Sequence, residues 1–310
     1  MKRFIISTIA LLTLCVGAMA SEPANVYVTR DISPEAIIKI YEALGVPATG
    51  KVGVKISTGE DGGENYLKPA LIGDFVKHIN GTIVECNTAY RGSRSTFESH
   101  WKVIKKHGFL DIAPCDLLDE DGDIQIPVKD KSHIKYDQVG AHIQNYDFMV
   151  NLAHFKGHEM GGFGGVLKNQ SIGFASAKGK SYIHSAGGER NVEQDHFLES
   201  MAAAAQAVHD YFGEGKIIYI NIMNNMSIDC DCSSHPAAPE MSDYGILAST
   251  DPVALDQACL DIVFGWNSHE GDTAQPLIDR INKLHGTHTV EYAEKIGLGS
   301  RKYNLISIDK

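Results

Sequence analysis

The sequence predicts an α/β fold: a largely parallel or mixed sheet with helices on both faces, as one domain or as two closely packed lobes. Three observations predict it. Short runs rich in Val and Ile alternate with amphipathic stretches along almost the whole chain, the pattern of a sheet covered on both sides. At 310 residues, 43% of them hydrophobic, the chain can bury a large core. No internal repeat, long linker or low-complexity tract interrupts it.

The elements follow in order. Strands are expected at 25–29, 52–56, 81–86, 148–155, 216–223, 245–249 and 304–308, where β-branched residues concentrate. Helices are expected at 33–44, 68–79, 95–106 and 192–212, the last carrying Phe197, Met201, Ala205, Val208 and Phe212 as a core-facing stripe at helical spacing. Asp251 and Pro252 read as N-cap and first-turn proline of a helix reaching about residue 264. The acidic segment 119–123 has its glycine too early for a calcium-binding loop and reads as a solvated turn.

Residues 1–20 read as a signal peptide. Lys2 and Arg3 precede an apolar run that ends on Ala18-Met19-Ala20, the small-x-small pattern of a cleavage site. The expectation is a secreted or periplasmic protein, residues 21–310 forming a single α/β domain, with no stable membrane insertion once the signal is removed. Cleavage moves the formal net charge from −11 to −13, because both lost charges are basic. Nucleic acid is therefore excluded as an expected partner, since binding it calls for a basic stripe.

Three stretches carry candidate chemistry. In "HFKGHEMGGFGGVLKN", a strand continuing to residue 158 would put His154, Lys156 and His158 on one face near its C-terminal end, where open α/β sheets bind ligands. Gly161, Gly162, Gly164 and Gly165 would let backbone amides approach an anion, with Lys168 and Asn169 adding polar contacts; a plain flexible loop is the competing reading. In "ECNTAYRGSR", Asn87 and Arg91 suit a small polar or anionic ligand. In "IDCDCSSHP", Cys230 and Cys232 would point the same way from an extended segment and reach one ion, His235 being a third ligand. A disulfide competes: joining these two cysteines closes a strained small ring, so Cys86 or Cys115 is the easier partner. No Gly-x-Ser-x-Gly elbow or dinucleotide fingerprint occurs.

Four blocks, "VGVKISTGEDGGENYLKP", "VECNTAYRGSRSTFESHWKVIKKHGF", "NLAHFKGHEMGGFGGVLKNQSIGFAS" and the long segment beginning "NIMNNMSIDCDCSSHP", resemble the domain-of-unknown-function 362 family, often labelled Fe-S centre proteins. The resemblance implies the fold and the place of the site rather than a reaction. Many members carry a cysteine-rich ferredoxin-like insertion after a Gly-Lys…His element, here Gly179-Lys180 to His184; this chain has no cysteine there, so no Fe-S cluster is expected. A divalent metal such as zinc, acquired after export, is the cofactor expectation, its ligands drawn from His154, His158, His184, Cys230 and Cys232. The competing expectation is a non-catalytic binding or redox-partner protein with a structural disulfide and no metal.

Overall fold

A computed structural model describes residues 23–310, so the signal segment lies outside the described residues. The N-terminal part comprises β1 (Ala24–Thr29), α1 (Pro34–Ala43), β2 (Val52–Lys55), α2 (Pro69–His78), β3 (Gly81–Glu85), α3 (Phe97–Lys106) and β4 (Cys115–Leu117). The middle holds β5 (Asp123–Pro127), β6 (Tyr136–Gly140), β7 (Phe148–His154), β8 (Lys156–His158), β9 (Gly162–Gly164), α4 (Val166–Phe174), α5 (Ala177–His184) and α6 (Gln194–Phe212). The remainder is β10 (Ile217–Met223), β11 (Gly245–Ser249), α7 (Pro252–Phe264), α8 (Gln275–Lys283), α9 (His288–Lys295) and β12 (Tyr303–Ser307).

Eight strands form one mixed, mostly parallel sheet in the order β12-β1-β11-β10-β7-β2-β3-β4, with β11 alone running against both its neighbours. Every residue of β7 and β10 is buried, as central strands covered on both faces must be. Alternation then splits their side chains: Ile218, Ile220 and Ile222 join the core under α1 and α2, while Ile217 and Tyr219 face the core beneath α4, α6 and α7. One sheet thus runs through both cores, and the helices lie on both of its faces.

Local chemistry explains the helix starts. Ser33, Thr96 and Asp251 each sit in extended backbone and accept a hydrogen bond from an amide of the first turn. Phe197, Met201, Ala205 and Val208 are buried as a stripe of α6, with Phe212 half-buried at its end. Among the described residues no helix is long and apolar enough to cross a membrane.

Two local expectations change. The strand expected at 148–155 does not continue to residue 158 in the main sheet: the Phe155 amide still donates to the Ile222 carbonyl, but β8 turns away to pair with β9 in a small antiparallel hairpin. Asp119, expected in solvent, is buried and its carboxylate accepts from the Asn87 amide.

The parallel strands set up the site. From β2 the chain steps outward to β3 and β4, then returns to add β7 and β10 on the other side of β2. The junction of β2 and β7 is a topological switch point, and the crevice beyond the strand ends there is where such sheets bind ligands.

Candidate functional site

At that switch point lies a cavity of about 330 Å³. Its floor is built from strand ends: Lys55 closes β2, Glu85 closes β3 and His154 closes β7. Lys156 and His158 on β8 form one wall, Lys168 and Asn169 on α4 a second, Lys180 and His184 on α5 a third, and the loop Cys230-Asp231-Cys232 after β10 a fourth.

His154, His158, His184, Cys230 and Cys232 all line this one cavity, together with Lys156, Gly164, Gly165, Lys168 and Asn169. Gly161 and Gly162 stand outside it, at the turn of the β8–β9 hairpin, where Gly162 takes a positive φ of 80° and packs on Gly286. Asn87 is buried but committed elsewhere, its side-chain oxygen on the His100 ring at 2.9 Å. Arg91 is exposed on a separate outer pocket with Glu60 and Asp61, and Arg94, three residues on, is the arginine that reaches the cavity. His235 is exposed and lines neither.

The glycine run has a function other than cradling a ligand. The first amides of α4, Val166 and Leu167, each donate at 2.9 Å to the buried carboxylate of Asp256 from α7. A Cβ on Gly165 would fall 2.2 Å from that carboxylate, so only glycine admits it. The anion at this helix start is therefore a side chain of the protein itself. Burial pushes Asp256 up to about 6, against the hydrogen bonds from Leu167, Asn221 and Val166.

The cavity is strongly cationic. Five cationic side chains, Lys55, Arg94, Lys156, Lys168 and Lys180, line it against three carboxylates, Glu85, Glu159 and Asp231. Two of those carboxylates are spent internally. Glu85 accepts from Arg94 at 2.6 Å, from the His100 ring at 3.1 Å and from Thr58; burial would raise its carboxyl, but the Arg94 charge and these bonds hold it far below the usual range. Asp231 takes one oxygen to His154 Nδ1 at 2.8 Å and the other to Lys156 Nζ at 2.9 Å; burial again opposes, and the His154 and Lys156 charges win.

Lys168 is left over. Its ammonium has no hydrogen-bond partner among the described residues, and burial, with Lys156 nearby, pushes it down to about 7. Lys55, held by the Ile56 carbonyl and the Asn169 side chain, is pushed down to about 8, chiefly by burial.

Hydrogen bonding assigns the ring nitrogens. His158 Nδ1 accepts from the Met160 and Gly161 amides at 3.2 and 2.9 Å, so its proton is on Nε2. His184 Nδ1 donates to the Lys180 carbonyl at 2.7 Å, leaving Nε2 as its acceptor. Burial and Lys168 hold His158 well below the usual imidazole range; burial lowers His184 too, against the Lys180 bond. The cavity thus holds one imidazole set to donate and one set to accept. His154 has both nitrogens facing acceptors, Asp231 and the Asn224 carbonyl, and offers no lone pair to a metal.

Cys230 and Cys232 are joined to each other as a disulfide, while Cys86 and Cys115 are free thiols. The partners that chain geometry favoured are taken out of reach: Cys86 is buried at the end of β3, donating to the Phe174 carbonyl, and Cys115 starts the edge strand β4. Donor atoms of His158, Cys230 and Cys232 do lie within 4.8 Å of one another. With the sulfurs paired and the His158 Nδ1 lone pair occupied, that group is a coordination sphere only after reduction and a change of tautomer.

Sequence reasoning missed Lys55, Glu85, Lys180 and Asp231, and singled out Arg91 where its neighbour Arg94, in the same candidate stretch, is the one that enters. The available signals were a lysine inside a fully buried strand, Val52–Lys55, and an aspartate flanked by two cysteines.

No curated protein matches the chain. Among solved structures, it is similar to the lactate racemase apoprotein from Thermoanaerobacterium thermosaccharolyticum, 14% identical with a TM-score of 0.43, over 77% of this chain and 57% of that one. It is also similar to a Thermotoga maritima protein, 10% identical with a TM-score of 0.41, over 86% and 60%. The chain therefore spans less than two thirds of either. Residues 52–261, which run from β2 through β11 into α7 and contain every cavity residue named above, match the family model described as "Domain of unknown function (DUF362)". The chain belongs to the domain-of-unknown-function 362 family.

Proposed function

We propose that this is an exported protein whose switch-point cavity binds a small organic anion, a carboxylate or a phosphate ester. The observation that carries the reading is Lys168: a half-buried cation on the cavity wall, without a hydrogen-bond partner among the described residues, in a cavity that already has more cations than carboxylates. Leaving a charge so placed is costly unless something completes it. An anion on Lys168 Nζ would also meet the His158 Nε2–H, and His184 Nε2 stands as the proton acceptor for any chemistry on the bound molecule. A cavity of about 330 Å³ is at the small end of ligand sites and suits a compact molecule.

The test is a thermal-shift screen at pH 7 with mono- and dicarboxylates, sulfate, inorganic phosphate and sugar phosphates. At least one anion is expected to raise the unfolding temperature, a ligand at 100 times its Kd adding about 2.7 kcal/mol. The same anion is expected to leave Lys168→Met unmoved. Equal shifts in both proteins, or no shift with any anion at millimolar concentration, would refute the reading.

The disulfide favours a second reading, a non-catalytic binding or redox-partner protein in which the Cys230–Cys232 pair is the working group. The metal reading of the same cysteines belongs to the reduced protein. Intact mass after expression with the full N-terminus tests export and oxidation together: cleavage after Ala20, with the mass of a disulfide rather than a dithiol, is expected. An uncleaved chain contradicts export, and a dithiol mass removes the redox-partner reading.

A further inference from the structure

Far from the cysteine loop, three separate segments bring His133, Glu189 and His196 together. His133 lies between β5 and β6, Glu189 in the loop after α5, and His196 in the first turns of α6. One donor atom from each lies within 4.8 Å of the others. His133 Nδ1 is 3.5 Å from Glu189 Oε1, and His196 Nδ1 is 3.0 Å from Glu189 Oε2. A tetrahedral ion with bonds of about 2.0–2.1 Å sets its donors about 3.3 Å apart; from Glu189 Oε1 the two imidazole nitrogens stand at 3.5 and 3.2 Å, and the third edge lies within 4.8 Å.

In the metal-free protein His196 Nδ1 donates to Glu189 Oε2 at 3.0 Å, so an ion takes the place of that proton, whereas His133 is already set to coordinate. His133 Nε2 sits 2.7 Å from Glu199 Oε2, which places the ring proton on Nε2 and turns the Nδ1 lone pair toward Glu189. A metal-binding histidine is typically oriented in this way, by a carboxylate on its far nitrogen. Glu199 is itself fixed by its other oxygen, which accepts from His288 Nε2 at 3.0 Å. Without a cation, Glu189 is held by the His196 Nδ1–H and lies 3.5 Å from His133 Nδ1, while the rings of His133 and His196 pack with centroids 4.3 Å apart.

We propose that His133, Glu189 and His196 form a site for a borderline divalent transition metal of the zinc type, with Glu199 as the residue that positions His133. Two imidazoles and one carboxylate disfavour magnesium and calcium, which take oxygen donors. The side chains of Glu189 and His196 are each about one-third exposed, so the remaining coordination position is open to water. The ion would tie the loop that follows His184 to α6 and to the segment before β6. The site is independent of the anion cavity.

Equilibrium dialysis and calorimetry with Zn²⁺ on the full chain, disulfide intact, test the proposal, with Co²⁺ as the spectroscopic probe. One ion per chain is expected, with the visible bands of a four-coordinate Co²⁺ site. Glu199→Gln is expected to weaken binding by about 10–100-fold, as loss of an orienting partner does, and His196→Ala and Glu189→Gln by more. The last two are on partly exposed side chains, and their unfolding temperatures without metal are expected to stay near wild type. His285→Ala, in the neighbouring Asp195-His285-His288 group, and Cys230→Ser with Cys232→Ser are controls expected to keep the ion. No binding by the wild type, binding that survives His196→Ala and Glu189→Gln, or binding lost in either control would overturn the assignment.

Discussion

Asp231→Ala is expected to lower the unfolding free energy by about 3–5 kcal/mol, the cost of stripping the partner from a buried charge. Asp231 is 5% exposed and holds two groups at once, His154 Nδ1 at 2.8 Å and Lys156 Nζ at 2.9 Å. Its backbone is also committed, the Glu60 amide donating to the Asp231 carbonyl at 2.8 Å, so the loop cannot easily move away. After truncation Lys156 keeps only the His154 carbonyl, and the His154 ring loses the partner of one nitrogen. Urea unfolding reads the loss as a lower midpoint. The double variant Asp231→Leu with Lys156→Met is expected to cost less than Asp231→Ala alone, because it removes the lysine charge with its partner and leaves only the His154 ring, which can become neutral, without its carboxylate. A single-variant loss below about 1 kcal/mol would mean that the pair behaves as a solvent-screened surface bridge.

The sequence and structure agree where local chemistry decides. Val- and Ile-rich runs became the central strands, and Ser33 and Asp251 cap the helices they precede. The elements not read are those whose signals are short or hidden. β4, β5 and β6 are three to five residues long and carry polar side chains. α4 follows a glycine run and buries Gln170 and Ser171, so its apolar periodicity is broken; Gln170 donates to the Ala205 carbonyl on α6 and Ser171 to the Leu167 carbonyl of its own helix.

The site divides in the same way. His154, Lys156 and His158 stand two residues apart and all reach the cavity, His154 on the floor at the end of β7 and Lys156 and His158 on the wall that β8 makes. Lys55 and Asp231 enter the cavity only because β2, β7 and β10 are neighbours, and that order is a property of the whole sheet. Arg94 and Arg91 are equivalent in composition. The loop after β3 sends the first inward to Glu85 and the second to solvent, and no local rule chooses between them. The glycines signalled close approach correctly, but the group approaching is Asp256, ninety residues from the amide it binds.

The second large effect concerns pH. Burial and Lys156 push the Lys168 ammonium down to about 7, and Lys55 is lowered to about 8. An anion needs the protonated amine. Well below pH 7 Lys168 is charged and affinity is full; well above it, each pH unit removes a further factor of about ten in the charged fraction, so affinity is expected to fall by about 50-fold between pH 7 and pH 9. Binding at pH 7.5 to 8 is expected to take up a proton, measurable as buffer-dependent heat. Lys168→Met should bind weakly and lack this dependence in the range where Lys168 titrates.

The most direct measurement of the central claim is calorimetric titration of the wild type at pH 6, 7, 8 and 9, using the best dicarboxylate or sulfate from the screen, whose own charge is constant over that range. A fall in affinity that begins near pH 7, with proton uptake on binding, is the predicted result. Affinity that is flat from pH 6 to pH 9, or unchanged in Lys168→Met, would show that the Lys168 amine does not hold the anion.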